Sequence, residues 1–527
     1  MKILFLDPPR RVWPYMNHED NYLTRQAYLC LAASLRQAGF TDVAILDCMP
    51  LKMGWLSLER ELRSRRPDLV LVGENHALYA DEALKALDLA REVLPGVVTV
   101  AGGAHFTHLC DAYLGARGGA RSAVAPKWLV RGATMPDYIV KGEGDLTVVE
   151  LARHVESGSR GSPDHVAGLA FARDGVVVHT APRDLVHDLD SLPMPAYDLV
   201  PMDLYGKSRL LFSPGGTTIH HSRGCAHACS FCVWWTQMAR RKVGSDGVER
   251  LSPAWRTFSP ERTVDEMELL SRRYGKRGLV FVDDCFNLDP KWSQRFAERV
   301  LRRGIKVNWF AFLRADYLVR DHELGVLDAL VRAGLRHVSI GAERVDDADL
   351  SGFGKRHYDR ETTVRAFEVL RKHHPEVFRQ ATFIVGIPGE TRESMWQQWE
   401  FARELRLDYP GFHPLTPVPG TRLWDEAMER GTIQADTFGQ FDWSTPVMAT
   451  ASMSRREVEE VLIDMGKRYV TGGWLARGLL TRHSYKRAMY QWFLKVSAAM
   501  AVDMARRMIR RDEGPLVPLV EPDWYHS

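Results

Sequence analysis

Residues 217–232 read TTIHHSRGCAHACSFC and carry the clearest chemical signal in the chain. A short β-branched run, which favours a strand, leads into Cys225, Cys229 and Cys232, separated by three and then two residues. Three thiolates this close together can hold a metal cluster on one tight loop. A 4Fe-4S cube normally takes four cysteines, so one iron would keep an open coordination position. An open position is typical of a catalytic metal site rather than a structural one.

The residues alone leave other interpretations of this loop open. A structural zinc site would need a fourth ligand, and His227 lies too close in sequence to complete the same tetrahedron. A disulfide framework fits poorly, because seven cysteines are an odd and sparse set for 527 residues. A chance group of buried cysteines is disfavoured by the tight spacing and by Gly224 directly in front. We therefore expect an iron–sulfur cluster with one open iron.

The composition is that of an ordinary globular protein, with 45% hydrophobic and 26% charged residues. The length predicts about three domains, and a net charge of +3 does not call for a nucleic-acid partner. The N-terminal stretch MKILFLDPPRRVW lacks the apolar core and cleavage site of a secretory signal. No run reaches the ~18–20 apolar residues of a membrane span. Free cysteines suit a reducing compartment, so we expect a cytoplasmic protein.

Strands and helices alternate through residues 1–155, which predicts an α/β domain with a doubly wound, Rossmann-like parallel sheet. The predicted strands are 1–6, 43–46, 68–73 and 97–101, and the predicted helices are 23–38, 56–65 and 80–93. Ligands bind such sheets at the carboxyl ends of the strands. The candidate ligand contacts in the loops at those ends are Glu74, Asn75, Gly102, Gly103 and His105. Adjacent glycines there would permit close approach of a bulky ligand.

The rest of the chain is predicted to form a connector at 156–210, a second α/β domain at 211–431 and a helical C-terminal domain at 432–527. In the connector, two apolar runs flank Asp174-Gly175, a pair typical of a tight hairpin turn. The strands predicted in the second domain are 217–221, 278–283, 306–312, 337–341, 380–385 and 411–416. Six parallel strands predict a partial (β/α)6 barrel with its functional groups at the carboxyl ends of the strands.

Several reactive side chains follow the predicted barrel strands. Asp283 and Asp284 could act as a general base or support a neighbouring group, and two adjacent carboxylates suggest that one of them points away. Cys285 could donate a hydrogen atom or act as a thiolate, although a small buried hydrophobe is the commoner role of a free cysteine. Further strand ends carry Arg314, Glu343 and the turn from Gly386 to Pro388.

The cysteine loop resembles the signature of the radical S-adenosylmethionine (radical SAM) superfamily, C-x3-C-x2-C with an aromatic residue, here Phe231, before the last cysteine. The resemblance implies that the three cysteines bind the 4Fe-4S cluster and that the open iron binds SAM. An electron from the cluster would then split SAM into methionine and a 5′-deoxyadenosyl radical.

The same resemblance implies roles for residues around SAM. Phe231 and the Gly386–Pro388 turn would line the adenine, Glu343 would face the ribose or the amino group, and Arg314 would belong to the same cofactor site. Simpler alternatives exist: Phe231 could be core, Glu343 could cap the following helix, and the turn could be plain loop geometry.

Residues 1–155, placed before such a loop, resemble the cobalamin-binding domain of cobalamin-dependent radical SAM enzymes. The resemblance rests on GGAHFT at 102–107 and KGEGD at 141–145. It implies bound cobalamin, with Gly102 and Gly103 beside its nucleotide tail and with Gly142 and Glu143 in the loop that closes the domain.

The chain lacks the D-x-H-x-x-G motif that supplies a cobalt ligand in many methyltransferases. His18 is the only histidine of the first loop, and a solvated loop residue is its simpler interpretation. We therefore expect base-off cobalamin without a protein histidine on cobalt. A flavin in the same place, or no ligand, is the alternative.

These features predict a cobalamin-dependent radical SAM C-methyltransferase that acts on an unactivated carbon of a small molecule. Trp234, Trp235 and Trp309 favour an apolar or aromatic substrate. One alternative is a rearrangement or oxidative cyclisation without methyl transfer, as in the anaerobic porphyrin-ring cyclase branch of the same family. A non-catalytic cofactor-binding module is the third hypothesis.

We expect a monomer that needs an electron donor such as flavodoxin or ferredoxin and that binds no nucleic acid. Residues 474–511 are rich in Arg, Lys, Trp and Tyr. Of two interpretations, we expect a helical cover that shuts the barrel mouth. The other is a basic amphipathic surface that makes peripheral contact with a membrane.

Overall fold

The computed structural model describes residues 1–13, 22–115, 135–158, 162–207, 215–355, 357–510 and 519–527. His18, the histidine weighed as a cobalt ligand, lies outside these residues. The described chain forms two large sheets, one mainly and one wholly parallel, each flanked by helices, so the α/β class predicted from the alternation is confirmed.

The first sheet has seven strands in the order β2-β1-β3-β4-β5-β6-β7. The strands are β1 (Ile3–Asp7), β2 (Val43–Asp47), β3 (Leu69–Gly73), β4 (Val98–Gly102), β5 (Tyr138–Val140), β6 (Leu169–Arg173) and β7 (Val176–His179). The first five are parallel, and the last two add antiparallel pairing at one edge. Leu4 and Ile3 enter different hydrophobic cores on the two faces. Burial of both faces explains why the strands are continuous apolar runs.

The hairpin expected around Asp174-Gly175 is present, and it lengthens the first sheet. Asp174 and Gly175 have φ angles of 50° and 77°, which are the positive values that a two-residue type I′ turn needs. Strand β6 pairs with β5, so the hairpin is an antiparallel extension of the parallel sheet. The sequence did not predict β5, whose three residues are too few to show a pattern.

The second sheet has six strands in the order β17-β16-β15-β14-β13-β8, all parallel. The strands are β8 (Gly216–Ile219), β13 (Gly278–Phe281), β14 (Asn308–Leu313), β15 (Leu335–Glu343), β16 (Phe378–Val385) and β17 (Tyr409–Pro414). The order follows the sequence without closing between β8 and β17, which is a partial (β/α)6 barrel. The prediction of six barrel strands is confirmed.

Two short ribbons lie between β8 and β13, and neither was predicted. They are β9 (Ser222–Cys225) with β12 (Ala254–Thr257), and β10 (Arg240–Val243) with β11 (Glu249–Ser252). Four-residue strands without apolar alternation give no readable period. The β9–β12 ribbon is important for function because it ends at Cys225.

Helices cover both sheets. Those in the N-terminal part are α1 (Gln26–Gln37), α2 (Cys48–Leu51), α3 (Trp55–Arg65), α4 (Ala80–Val93), α5 (Ala104–His108), α6 (Cys110–Gly115) and α7 (Asp145–Glu156). Those in the barrel are α8 (Trp234–Gln237), α9 (Pro260–Glu268), α10 (Pro290–Arg302), α11 (Ala315–Glu323), α12 (Val326–Arg332), α13 (Asp347–Gly352), α14 (Arg360–His373), α15 (Arg392–Glu404) and α16 (Arg422–Glu429). No described helix is both long enough and apolar enough to cross a membrane.

The C-terminal helices are α17 (Arg455–Tyr469), α18 (Gly472–Leu480) and α19 (Ser484–Arg510). The expectation that this segment shuts the barrel mouth is wrong for α18 and α19. Trp474 Nε1 donates to the Asp408 carbonyl (2.7 Å), and the Phe493 ring stacks on Tyr409, the first residue of β17 (3.7 Å). These two helices therefore cover the amino edge of the sheet, the edge opposite the cysteine loop.

Candidate functional site

The cysteine loop joins β9 to α8 just beyond the carboxyl end of β8. Gly224 has a φ of 79°, and a Cβ there would lie 2.2 Å from the Ala254 carbonyl oxygen, so only glycine lets β9 pair closely with β12. The Cys232 amide and Trp235 Nε1 both donate to the Cys229 carbonyl, each at 3.2 Å. These bonds close the loop into a compact turn that carries all three thiols.

The three thiols suit a polynuclear cluster. They are free and partly buried, and Cys229 and Cys232 line a cavity of about 180 Å³. Sulfurs around one tetrahedral zinc ion would lie roughly 3.8 Å apart. In the described part of the chain, the three sulfurs do not form a set within 4.8 Å of one another. The three thiols are therefore not gathered around a single-ion site in this structure.

The loop thiols are held in their neutral form by the protein alone. Burial raises the pKa of Cys225 to about 11 and also raises the pKa of Cys229. Thiols of this kind lose their protons when a metal binds, because the metal charge stabilises the thiolate.

Asp283 is buried beyond the end of β13 and anchors the segment in front of the cysteines. Its Oδ1 accepts hydrogen bonds from the His221 amide (3.0 Å), the Ser222 amide (2.6 Å) and the Ser222 hydroxyl (2.6 Å). His221 Nδ1 lies 2.9 Å from the same oxygen. Burial alone would raise the pKa of Asp283, but His221 and these bonds lower it. Of the two adjacent carboxylates, this one faces the backbone of residues 221–222.

Asp284 is half-buried and faces the cysteine loop. Burial, followed by the charge on Asp283, raises the pKa of Asp284 to about 7. The Asp284 charge in turn contributes to the raised pKa of Cys225 and of Cys232. This carboxyl group can therefore exchange a proton near neutral pH.

Cys285 is buried, and its Sγ donates to Asn287 Oδ1 over 3.6 Å. Burial raises the pKa of this thiol well above its ordinary value. A raised pKa favours the protonated thiol. The hydrogen-atom donor and the small buried hydrophobe both agree with it.

Glu343 ends β15 in a strained conformation, with a φ of 60° beside a register shift in the strand pairing. Its Oε1 pairs with Lys355 Nζ at 3.0 Å. The helix that follows, α13, is capped by Asp346 instead, so Glu343 is not a helix cap. An ordered, non-glycine residue at positive φ is typical of functional sites.

Lys355 is the cation that pairs with Glu343, and it was not found from the sequence. Its Nζ reaches the Gly341 carbonyl as well as Glu343 and lies 4.1 Å from the centre of the Tyr358 ring. Burial lowers the pKa of Lys355, but Glu343, Tyr358 and Cys229 together outweigh burial, so the net pKa is raised. The ammonium group also lowers the pKa of Cys229, so the ion pair lies within electrostatic reach of the cysteine loop.

Arg314, at the end of β14, is oriented by a carboxylate and two rings. Its Nε and Nη2 each lie 3.0 Å from Asp316 in a two-pronged ion pair. The guanidinium group also lies over the rings of Tyr358 and Tyr317, at 5.0 and 5.4 Å. Tyr317 in turn bonds His227 of the cysteine loop at 3.0 Å.

The turn after β16 is held together by one buried carboxylate. Glu390 Oε2 accepts from the amides of Gly386 (2.5 Å) and Ile387 (3.2 Å), and Glu390 Oε1 pairs with Arg344 Nη1 at 2.6 Å. Gly386 has a φ of 71°, and the Pro388 carbonyl accepts from the Ala451 amide at 2.7 Å. The turn has a defined shape beyond plain loop geometry.

Phe231 is half-buried and packs edge-on against Phe353, with ring centres 5.3 Å apart. The Ser230 amide donates to the Phe353 carbonyl at 3.0 Å. The cysteine loop is thereby attached to the segment that leads to Lys355.

The loops at the carboxyl edge of the first sheet fasten to one another. Glu74 Oε2 pairs with Arg10 Nη2 at 2.8 Å, and Asn75 Oδ1 accepts from the Ala104 amide at 3.0 Å. Gly103 has a φ of 88°, and a Cβ there would lie 2.5 Å from the Glu74 carbonyl oxygen. The second glycine is therefore required by the neighbouring loop, whereas a Cβ on Gly102 would meet only ordinary contacts.

This edge also keeps buried polar atoms that have no hydrogen-bond partner among the described residues, namely Arg10 Nε and His105 Nδ1. His105 Nε2 bonds the Tyr113 hydroxyl at 2.7 Å, and its ring meets Phe438 edge-on at 4.5 Å. Burial lowers the pKa of His105 to about 3. Unsatisfied donors and acceptors at this edge fit a large polar ligand.

Glu143 joins the first sheet to the cysteine loop. Its Oε1 pairs with Arg223 Nη1 (2.5 Å) and its Oε2 with Arg256 Nη1 (2.9 Å). Asp145 adds a second carboxylate to Arg223 at 2.7 Å. Gly142, with a φ of 70°, accepts from Gln237 Nε2 at its carbonyl (2.8 Å). Sequence reasoning missed Arg223, two residues before Cys225.

The carboxyl edges of the two sheets meet beside the cysteines. The His76 ring contacts Trp234 edge-on, with centres 5.1 Å apart. His108 Nε2 bonds the Thr236 hydroxyl at 2.8 Å. The loops after β3 and β4 thus contact α8 directly, which brings the two predicted cofactor regions together.

Comparison with known proteins agrees with this arrangement. The family model described as "Radical SAM superfamily" matches residues 219–402. An uncharacterized methyltransferase of Pyrococcus horikoshii is 28% identical over 423 residues, covering 80% of this chain and 82% of that protein. The anaerobic magnesium-protoporphyrin IX monomethyl ester cyclase of Cereibacter sphaeroides is 29% identical over 455 residues, covering 84% of this chain and 66% of that protein.

A solved structure has a similar overall fold. The radical S-adenosylmethionine methyltransferase TsrM from Kitasatospora setae, with cobalamin and a 4Fe-4S cluster bound, aligns with a TM-score of 0.64 and 18% identity. The alignment covers 95% of this chain and 100% of that one, so the similarity in fold extends over nearly the whole chain.

Proposed function

We propose that the chain is a cobalamin-dependent radical SAM C-methyltransferase that acts on an unactivated carbon of a small apolar or aromatic molecule, a proposal supported by the radical SAM match over residues 219–402 and by the similar relatives. The observation that carries the proposal is the meeting of the two carboxyl edges beside Cys225, Cys229 and Cys232. A hydrogen-abstracting centre and a methyl carrier must both reach one substrate carbon. The contacts of Trp234 with His76 and of Thr236 with His108 bring the two regions together.

The described residues fit the three cofactors. The cysteine loop would hold the 4Fe-4S cluster. Glu343, Lys355, Arg314 and the Gly386 turn would hold SAM. The loops after β1, β3 and β4, with their unsatisfied polar atoms, would hold cobalamin. When bound, the cluster and SAM supply hydrogen-atom abstraction from the substrate, and cobalamin supplies the methyl group.

The protein positions these groups through ion pairs. Asp283 fixes residues 221–222 and thereby the start of the cysteine loop. The Glu343–Lys355 pair presents one carboxylate oxygen and one ammonium group next to Cys229, and SAM carries an amino and a carboxylate group that match them. Opposite charges held rigidly in a buried site orient a ligand with little reorganisation.

Asp284 would act as the general acid or base. Its pKa of about 7 lets the carboxyl group take up or release a proton at neutral pH, as a general acid or base requires. Burial raises the pKa of Cys285, which favours a role as a hydrogen donor. Glu143 and Asp145, bound to Arg223, are buried at the junction between the sheets.

The test is product analysis with SAM that carries a trideuterated methyl group. The anaerobically reconstituted protein is incubated with a low-potential reductant and a panel of apolar and aromatic acceptors. We expect a labelled product, with 5′-deoxyadenosine and S-adenosylhomocysteine formed together, because one SAM would supply the radical and another the methyl group. The Cys229→Ala protein is the matched control and should form no 5′-deoxyadenosine.

A cyclisation without methyl transfer is the second candidate, favoured by the 29% identity to the magnesium-protoporphyrin ester cyclase. It predicts 5′-deoxyadenosine and an unlabelled product, and a porphyrin ester belongs in the acceptor panel for that reason. Absence of 5′-deoxyadenosine under all conditions would contradict both candidates and favour a non-catalytic module.

The proposal includes a flavodoxin or a ferredoxin as the physiological electron donor and a monomeric enzyme. Either donor, kept reduced, should replace the chemical reductant in the same assay. Light scattering of the reconstituted protein would give the mass of one chain.

A further inference from the structure

Three side chains of the types that bind metal ions lie together at the amino edge of the barrel. His322 is in the last turn of α11, Asp328 is in the first turn of α12, and His374 directly follows α14. One donor atom from each lies within 4.8 Å of the other two. His374 lies just before β16, which begins at Phe378, so the group is at the amino edge of the sheet. The cysteine loop is at the opposite, carboxyl edge.

The two imidazole rings have nitrogen atoms that the described protein leaves unsatisfied. His322 Nδ1 and His374 Nε2 are buried and have no hydrogen-bond partner. His374 is only 4% exposed. Its Nε2 lies 3.2 Å from Asp328 Oδ1, close enough for an ion pair but without hydrogen-bond alignment. A buried polar atom without a partner is costly, so these nitrogens point to a ligand between them.

We propose that His322, Asp328 and His374 bind a divalent transition-metal ion, with Zn²⁺ as the best match. Two imidazoles and one carboxylate are a ligand set that zinc takes, with a water completing the tetrahedron. Ligands about 2.0–2.1 Å from one tetrahedral ion lie roughly 3.3–3.4 Å from each other. The 3.2 Å between His374 Nε2 and Asp328 Oδ1 already meets that requirement.

The helix ends around the group favour a cation. Helices α11 and α14 both end at the site, and the carboxyl end of a helix carries partial negative charge. Asp328 adds a full negative charge. An ion bound here would join α11, α12 and the segment before β16, so its role is to stabilise this edge of the barrel.

The described residues include another group of three donor side chains, but its imidazole nitrogens are not free to bind a metal ion. It consists of Cys110, Asp111 and His179. His179 Nε2 already bonds Asp111 at 2.6 Å, and the Lys141 ammonium lies 3.3 Å from His179 Nδ1. Both imidazole nitrogens are occupied there, and a neighbouring cation opposes metal binding.

Zinc binding by the full chain tests the proposal. The three cluster cysteines are first changed to alanine, so that zinc cannot bind to their loop. We expect about one zinc ion per chain at this group after equilibration with ZnCl₂, together with a raised melting temperature. Removal of a residue that only hydrogen-bonds to a metal ligand already weakens metal binding by roughly 10- to 100-fold. Asp328→Asn and His374→Gln should therefore weaken it by at least that factor.

The matched control is His373→Gln. The His373 ring lies 4.6 Å from that of His322 but does not belong to the three-donor group, so zinc binding should persist. Cobalt substitution should give the visible bands of a tetrahedral nitrogen–oxygen site without thiolate charge transfer. Asp328 has a side chain that is 61% exposed, so its substitution preserves the fold. The proposal is overturned by equal zinc affinity in the parent and in the Asp328→Asn chain, whether the cluster cysteines are present or replaced.

Discussion

At the scale of single residues, buried charges around the cysteine loop are held by specific partners. Asp283 is fixed by residues 221–222, and Glu343 is fixed by Lys355. In a low-dielectric interior such contacts are strong, and an unpaired polar group is costly. The orientation of Glu343 and of the start of the cysteine loop therefore depends on these partners.

Buried histidines give the protein an acid-sensitive stability, and His105 provides a test. Its folded-state pKa is about 3, well below the unfolded value of about 6.5. Below that unfolded value the unfolded chain gains a proton that the folded chain cannot take, so stability falls as the pH drops toward 3. The loss is about 1.4 kcal/mol per pH unit. As the pH is lowered from about 7 to about 5, the melting temperature of the parent should fall more than that of His105→Phe. The difference between the two melting temperatures should therefore shift in favour of the variant.

The control for this prediction is Tyr113→Phe. That change removes the hydrogen bond to His105 Nε2 but keeps the imidazole, so the acid sensitivity of the parent should remain. Parallel melting curves for His105→Phe and the parent across this pH range would contradict the assignment.

The sequence predicted individual residues unevenly, and the reason is the distance along the chain between partners. The three cysteines could be identified from their spacing in the sequence. Glu343 was chosen for its place at a strand end, but its partner Lys355 follows α13 with no motif to mark it. Arg223 meets Glu143, 80 residues earlier. Such pairs exist only once the sheets are packed.

At the scale of secondary-structure elements, the β9–β12 ribbon sets the position of the cysteine loop. The Ala254 carbonyl occupies the space next to Gly224 where a Cβ would be. The backbone of β9 therefore cannot shift or accept a larger residue without moving Cys225 as well.

Gly224→Ala should leave the chain folded but prevent assembly of the iron–sulfur cluster. Its added Cβ would overlap the Ala254 carbonyl, so we expect most of the iron and sulfide to be lost after anaerobic reconstitution. Gly247→Ala is the matched control, because Gly247 has a similar φ of 74° but nothing within 4 Å of a Cβ. That change should cost about 1 kcal/mol of backbone strain and leave the iron content unchanged. Equal iron content in the two variants would refute the steric explanation.

Elements with a clear hydrophobic period were predicted well, and the others were not. The barrel strands are largely buried segments of four to nine residues that alternate with helical stretches, and the Asp174-Gly175 hairpin follows from turn chemistry. The short ribbons and β5 have no period to detect. The docking edge of α18 and α19 was predicted wrongly, because an apolar helix face does not specify which end of a sheet it will cover.

At the scale of the whole molecule, the two sheets are joined by a buried network of charges. Arg223 lies on β9, and both of its carboxylate partners belong to the loop after β5 and the start of α7. Breaking a buried ion pair by removing one partner typically costs 3–5 kcal/mol. The junction is therefore a major contribution to the relative placement of the sheets.

Arg223→Met should lower the melting temperature and divide the calorimetric transition into two. Glu143 would keep Arg256, but Asp145 would lose its counter-ion in a buried position. Arg250→Met is the control, since the Arg250–Asp246 pair is exposed and should contribute little. A single transition at the parent temperature in the Arg223 variant would show that the network does not couple the sheets.

The charges at this junction also bear on how such chains can be recombined. A chimera that joins this barrel to the N-terminal half of a relative would carry Arg223 and Arg256 into the new partner. Unless that partner offers acidic residues where Glu143 and Asp145 stand, two guanidinium groups would be buried without counter-ions. Successful exchanges should be those in which the crossover point lies beyond Arg256, so that the matching acids and bases are inherited as one block.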